Sequence, residues 1–212
     1  MNTHHEILKR ITKLGLLLML GASLSACGGD SWKEEVLLHD GQKIIVKRSQ
    51  SYGGRREVGQ GAPIKEHTIT FMLPNTDKTI EWKSEYSEDV GRANFDLLAL
   101  HVLNGTPYIV ADPNLCLAYN KWGRPNPPYV LFKYDGKAWQ RIQMGELPVE
   151  FKTINVSLGI RGRPGEELVR MGQVSAEQIK QRNAHSERFH AKTILREGIK
   201  REGQETCPKM IS

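Results

Sequence analysis

The chain has 212 residues, 39% of them hydrophobic and 25% charged, with a formal charge of +6 and a pI near 9.2. This balance supports a hydrophobic core and excludes wholesale disorder as well as collagen-like and coiled-coil chains. The length predicts one domain, alone or with an appendage. Excess positive charge points to nucleic acid only if the chain stays in the cytoplasm, and the first thirty residues point out of it. Lys9, Arg10 and Lys13 stand against one acid, Glu6, ahead of the uncharged run Leu14–Leu24. At about 1.5 Å per residue this run spans roughly half of a ~30 Å hydrocarbon core. A basic segment, a short apolar one and small residues after it read as a secretory signal peptide over residues 1–26.

Leu24-Ser25-Ala26-Cys27 closes that leader. These four residues resemble the lipobox of bacterial lipoproteins, and the resemblance covers residues 1–27 only. It implies that the Cys27 thiol is alkylated by diacylglycerol, that the leader is cut before Cys27, and that the new amine is acylated. Three acyl chains imply permanent attachment to a membrane. Gly28 follows the cysteine where an Asp would imply retention at the inner membrane, so the expected address is the outer membrane, facing the periplasm. Residues 27–31 read as a lipidated tether. Loss of Lys9, Arg10, Lys13 and Glu6 with the leader lowers the charge from +6 to +4. Export turns that charge away from nucleic acid and toward anionic components of the envelope.

Cys116 and Cys207 remain. An oxidising compartment favours a disulfide between them, whose closure of a loop of about ninety residues has a ceiling of roughly 4–5 kcal/mol. The alternative is two unpaired thiols.

Residues 32–158 read as a β domain. Glu35–His39 and Lys43–Lys47 flank the turn pair Asp40-Gly41. His67–Leu73 alternates, with Ile69, Phe71 and Leu73 on one face. Pro74–Lys78 turns the chain into Thr79–Lys83. Phe95–Leu103 is almost wholly apolar and reads as a central strand buried on both faces; Asn104-Gly105 leads from it to Tyr108–Val110. Tyr129–Tyr134, Asp135-Gly136 and Ala138–Ile142 form another hairpin, and Phe151–Leu158 suggests a further strand. Turns near 41, 76, 105 and 136 hint at a repeat, but eight or nine strands would make only about two propeller blades, where 4–8 are typical. The expected fold is therefore mainly β: an antiparallel sandwich or partly open barrel of hairpins with a short C-terminal α-helical tail. Residues 159–212 read as a linker, Gly159–Gly165, and that tail. Ser175-Ala176-Glu177-Gln178 fits a capping box opening a helix from Ala176 to about Arg196.

The catalytic motifs sought are missing: no G-x-S-x-G, H-E-x-x-H, C-x-x-C or P-loop occurs. No catalytic, metal or cofactor residue is assigned. His185 and His190, five apart, fall about 140° from each other on a helix and do not share a face as metal ligands; they read as a solvated face. His101 reads as a hydrogen-bonded core histidine. His39 and His67 have no visible partner, and the acids Glu34, Glu35, Glu66, Glu81 and Glu85 single out no carboxylate pair.

The least ordinary segment is Tyr119–Tyr129. Tyr119, Lys121, Trp122, Arg124 and Tyr129 gather three aromatics and two cations beside Cys116, with Pro125, Pro127 and Pro128 between them. Prolines stiffen an exposed loop, and Trp and Arg are favoured at binding hot spots. The segment reads as a platform for an envelope protein, a glycan or an anionic headgroup, or else as a crossover whose aromatics cover a sheet edge. A second basic loop, Tyr52–Arg56, would extend the surface if the sheet brings the two together. The expected role is a non-enzymatic binding or structural lipoprotein; an envelope hydrolase with an unrecognised site is the alternative.

Overall fold

The computed structural model describes residues 29–56, 58–158, 163–186, 189–199 and 207–208. The leader and Cys27 lie outside them. Two sheets dominate. The first contains β1 (Gly29–Leu37), β2 (Lys43–Tyr52), β3 (Ile64–Met72) and β4 (Thr79–Lys83), with the short β11 (Gln173–Val174) beside β1. The second runs β10-β9-β8-β7, from β7 (Phe95–Leu103), β8 (Thr106–Pro113), β9 (Val130–Tyr134) and β10 (Trp139–Ile142). A small pair, β5 (Tyr86–Ser87) and β6 (Arg92–Ala93), joins them. All named pairings are antiparallel except β1 with β11. The molecule is mainly β, as its alternating sequence predicts, and among the described residues three short helices complete it: α1 (Leu115–Lys121), α2 (Arg163–Met171) and α3 (Ala176–Ala184).

The hairpin turns follow from their residues. In Asp40-Gly41 and Asp135-Gly136 the glycine has φ of +86° and +99°, a region closed to most side chains. The aspartate accepts from the backbone just beyond, Gln42 N–H at 3.0 Å in one turn, and Lys137 and Ala138 N–H at 2.8 Å in the other. The two hairpins belong to different sheets. Their common Asp-Gly pair is thus shared turn chemistry, and the turn spacing marks no repeat.

The inner faces of the sheets meet in one core. Val46, Ile69, Phe71 and Trp82 of the first pack with Phe95, Leu100, Ile109 and Val130 of the second. Each such burial contributes about 1.5–3 kcal/mol. Strand pairing does not close the structure into a barrel; side chains clasp both seams. At one, Trp139 Nε1 donates to the Glu81 carbonyl at 2.7 Å, linking β10 to β4. At the other, Asn155 Nδ2 donates to the carbonyls of Leu100 and Leu37, at 2.7 and 3.0 Å, and its Oδ1 accepts from Leu100 N–H at 3.0 Å. The Asn155 amide thus stands in for a neighbouring strand.

Four expectations need correction. β7 is buried on both faces yet ends its sheet rather than occupying the centre; Asn155 and the chain around it cover that edge. Phe151–Leu158 forms no strand beyond one bridge, Thr153 with Thr193. It lies across the outer face of the second sheet, where Phe151, Ile154 and Ile194 pack against Leu98, Tyr108 and Leu131. The helix opened by Ser175 has the expected capping box, with Ser175 Oγ accepting from Gln178 N–H and Gln178 Oε1 from Ser175 N–H. It ends at Ala184, because Ile194 and its neighbours leave it to cover that face. Finally, the tether ends early. Gly29, Asp30 and Ser31 already pair with Ser51, Gln50 and Ser49, and the Asp30 carboxylate accepts from Gln50 Nε2 at 3.1 Å and from the Tyr52 hydroxyl.

Of the linker, residues 159–162 lie outside the described residues, and α2 starts at Arg163. Leu168 of α2, Val174 of β11 and Ile179 of α3 bury Trp32 in a separate cluster. Beneath it the first sheet's inner face is polar. Arg48 lies 3.1 Å from Glu34 Oε2, Trp32 Nε1 donates to Glu34 Oε1 at 2.6 Å, and Ser157 N–H to Oε2 at 3.2 Å. Both charges are buried, so the pair persists through the hydrogen bonds that satisfy it.

Candidate functional site

The aromatic–basic segment 119–129 is engaged within the fold. Tyr119 and Lys121 belong to α1, not to a loop, and Tyr119 is buried. Lys121 pairs with Asp89 at 3.2 Å and Glu85 at 3.5 Å. The Trp122 ring lies 4.6 Å from that of Phe95 and is covered on another side by the Arg141 guanidinium at 5.4 Å. Tyr129 is buried too; its hydroxyl lies 2.8 and 3.1 Å from the carbonyls of His190 and Thr193 and accepts from Leu195 N–H.

This segment does hold a polypeptide: the chain's own C-terminal part. Cys116 and Cys207 form a disulfide. Arg124, lying over the Tyr119 ring at 5.1 Å, donates to the Cys207 carbonyl at 2.8 Å and to Asn120 Oδ1 at 2.6 Å. Asn120 Nδ2 donates to the Pro208 carbonyl at 2.9 Å, and Asn126 bonds both backbone groups of Ile199. The expected recognition chemistry is present and is spent, among the described residues, on Ile199, Cys207 and Pro208.

The histidines divide. His101 is fully buried, stacked on Phe151 at 4.6 Å, and its Nε2 donates to the Thr153 carbonyl at 2.9 Å. Burial first, and His39 second, push its pKa down to about 4 against the opposing pull of Thr153, so it is neutral. His39 contacts the edge of the same Phe151 ring. His67 Nε2 stands 3.6 Å from Asp96, and His190 Nε2 3.0 Å from Asp112, these aspartates being direct partners across β7 and β8. His185 is solvated as expected, whereas His190 is not: it lies on a separate turn, Phe189–Ala191, packed near Tyr129. Among the described residues no three of His, Cys, Asp and Glu come close enough to hold a metal.

The feature with free chemistry lies beside the second basic loop. A groove of about 770 Å³ opens between residues 52–64, β6 and the start of α1. Its cations are Arg55, Arg56 and Arg92, and no carboxylate lines it among the described residues; Glu57 lies outside them. The loop is clasped in place. Arg55 N–H donates to the Gly91 carbonyl at 2.9 Å, and a Cβ on Gly54 would come within 2.3 Å of that oxygen. Arg55 also donates to the Glu88 carbonyl at 3.1 Å. Neither the Arg56 nor the Arg92 side chain has a hydrogen bond or ion pair among the described residues.

The other wall is apolar. Ile64 and Val90 floor it, and Leu115 and Leu117 stand at its mouth, Leu115 58% exposed. Leu115 has φ of +64°, a left-handed conformation that costs a non-glycine residue about 1–3 kcal/mol. Val58, at the tip of the loop, is fully exposed. At the base the Tyr52 pKa is raised to about 12, by burial first and then by the Asp30 carboxylate that accepts its proton in a hydrogen bond. The Tyr52–Arg56 loop meets α1 at Leu115–Leu117, and no residue of the 119–129 segment lines the groove. Arg92, Leu115 and Leu117 carry no sequence signal; only the packing of β6 and α1 against the loop reveals them. No protein-family model, no curated protein and no solved structure matches this chain.

Proposed function

We propose that this chain is a lipid-anchored protein of the bacterial envelope, held by Cys27 at the outer membrane and facing the periplasm, and that it binds an anionic ligand rather than catalysing a reaction. The observation that carries the reading is the groove: three guanidinium groups, no carboxylate among its described lining residues, and an apolar wall opposite them. Guanidinium is weakly hydrated and donates in a planar fork, so it binds carboxylate and phosphate oxygens more readily than it binds neutral sugars. The Tyr119–Tyr129 segment then has a supporting role, fixing α1 and the C-terminal part so that the wall of the groove stands where it does.

Two measurements test this. Metabolic palmitate should label the wild-type chain and not a Cys27→Ala variant; label retained in the variant would reject the anchor. Crosslinking in the native envelope should yield adducts on residues 52–63 and 115–117 that vanish when Arg55, Arg56 and Arg92 are all replaced by Gln, while the melting temperature stays within a few degrees. Adducts that survive the triple replacement would move the site elsewhere.

A further inference from the structure

The start of β1 fixes how the groove stands relative to the anchor. Gly29 pairs with Ser51, one residue before Tyr52 at the base of the groove. The chain ahead of Gly29 therefore leaves the first sheet at the end where the 53–63 loop rises. Only Gly28 separates Cys27 from Gly29, two Cα steps with a reach of about 7 Å at full extension. The headgroup layer is itself roughly 5–8 Å deep on each side of the hydrocarbon core. A cysteine whose acyl chains lie in that core cannot hold β1 far from the headgroups, so this end of the molecule is kept beside the membrane, within reach of docking on it.

The surface at that end suits such a position. Val58 and Leu115 are exposed apolar side chains, and Leu115, Leu117 and Tyr52 line the groove together with Arg55 and Arg56 of the loop and Arg92 of β6. Of the described acids nearby, Glu85 and Asp89 face Lys121 and Glu88 accepts from the Tyr86 hydroxyl, while Glu166 acts on Tyr52 at the base of the groove. We infer that the groove faces the membrane that carries the anchor and takes the phosphate of an anionic phospholipid headgroup between Arg55, Arg56 and Arg92, while Val58 and Leu115 enter the interface. This rests on the lipid anchor at Cys27. An acidic protein segment is the competing occupant, and it would not seat the apolar rim in a bilayer.

The test uses the whole acylated protein in vesicles, with an environment-sensitive fluorophore on Val58→Cys. In phosphatidylcholine vesicles containing a third phosphatidylglycerol, the emission should shift to the blue and be quenched by a nitroxide lipid. In pure phosphatidylcholine it should do neither, and added glycerol phosphate, which has the headgroup chemistry without acyl chains, should change nothing. Each arginine near an anionic surface contributes about fivefold, so replacing all three with Gln should lower the ratio of docked to undocked protein roughly a hundredfold, and 0.5 M salt, about a tenth of a molar being enough to screen beyond ~10 Å, should act the same way. Arg56→Gln and Arg92→Gln singly, where no bond among the described residues is lost, should each cost about fivefold. A label buried equally in both vesicle types, left in water with phosphatidylglycerol, or still buried in the triple variant would overturn the headgroup site. If the protein fails to float with phosphatidylcholine vesicles at all, the anchor has failed and the docking falls with it; flotation with the label in water removes the docking alone.

Discussion

Single side chains in this protein are placed by what burial does to their charge. His101 sits in the most apolar strand, where the sequence alone marks it as a core residue with a partner, and Thr153 is that partner. Its folded-state pKa of about 4 lies below the ordinary 6.5. The unfolded chain therefore binds more protons between those values, and stability is complete above pH 6.5 and lost as the pH falls toward 4. The difference amounts to about 3 kcal/mol. Urea titrations at pH 7 and pH 4.5 should show this loss, and His101→Phe, which keeps a ring stacked on Phe151, should flatten it. An unchanged slope would place the acid sensitivity elsewhere. Arg124 shows the limit of reading residues singly. Its chemistry, a guanidinium next to Tyr and Asn, is legible as polypeptide recognition, but whether the polypeptide is foreign or this chain's own depends on a fold that brings Cys207 back across the molecule.

Elements are legible where the cause is local. Asp-Gly turns, the alternation of β3 and the Ser175 capping box each depend on a few neighbouring residues, and each forms as the sequence predicts. The errors fall where contacts are long-range. Phe151–Leu158 has the composition of a strand yet serves as cover, because the single amide of Asn155 meets the β7 edge that another strand would have met. Gln173–Val174 is too short to announce itself and exists as a strand only because β1 offers it an edge. Replacing Asn155 with Leu removes three hydrogen bonds, leaving the Leu100 N–H and carbonyl buried without partners and the part-buried Leu37 carbonyl to solvent. The expected loss is about 3 kcal/mol in denaturant unfolding, along with faster amide exchange at Leu100. A loss under 1 kcal/mol would mean that water or a shifted backbone takes over the amide's task.

At the scale of the whole molecule, the disulfide and the groove share one helix. Cys116 is flanked by Leu115 and Leu117, which stand at the groove mouth, while its sulfur ties α1 to Cys207 at a sequence separation of 91. Replacing both cysteines with Ser should lower stability by as much as about 4–5 kcal/mol and make unfolding insensitive to reductant. If reductant still shifts the transition of that variant, a thiol other than this pair is responsible. The groove itself was only half legible: the run Tyr52–Arg56 shows two of its cations, but Arg92 and the leucines reach it from β6 and α1 through tertiary packing.

The parallel pairing of β11 with β1 has a consequence for the order in which the molecule is made. Glu35 on β1 accepts from Ala176 N–H, 141 positions later in the chain, and Lys33 N–H donates to the Gly172 carbonyl. Chains are synthesised from the N-terminus, so β1 is among the first parts available and one of its edges stays open until the last fifth of the sequence arrives. An open edge is a template for another copy to pair with. Lys33 and Glu35, charged and on the outer face of that strand, guard it during the interval. A product released before Gly172 would never acquire its closing partner, and self-association, not slow folding, would be the penalty for early termination.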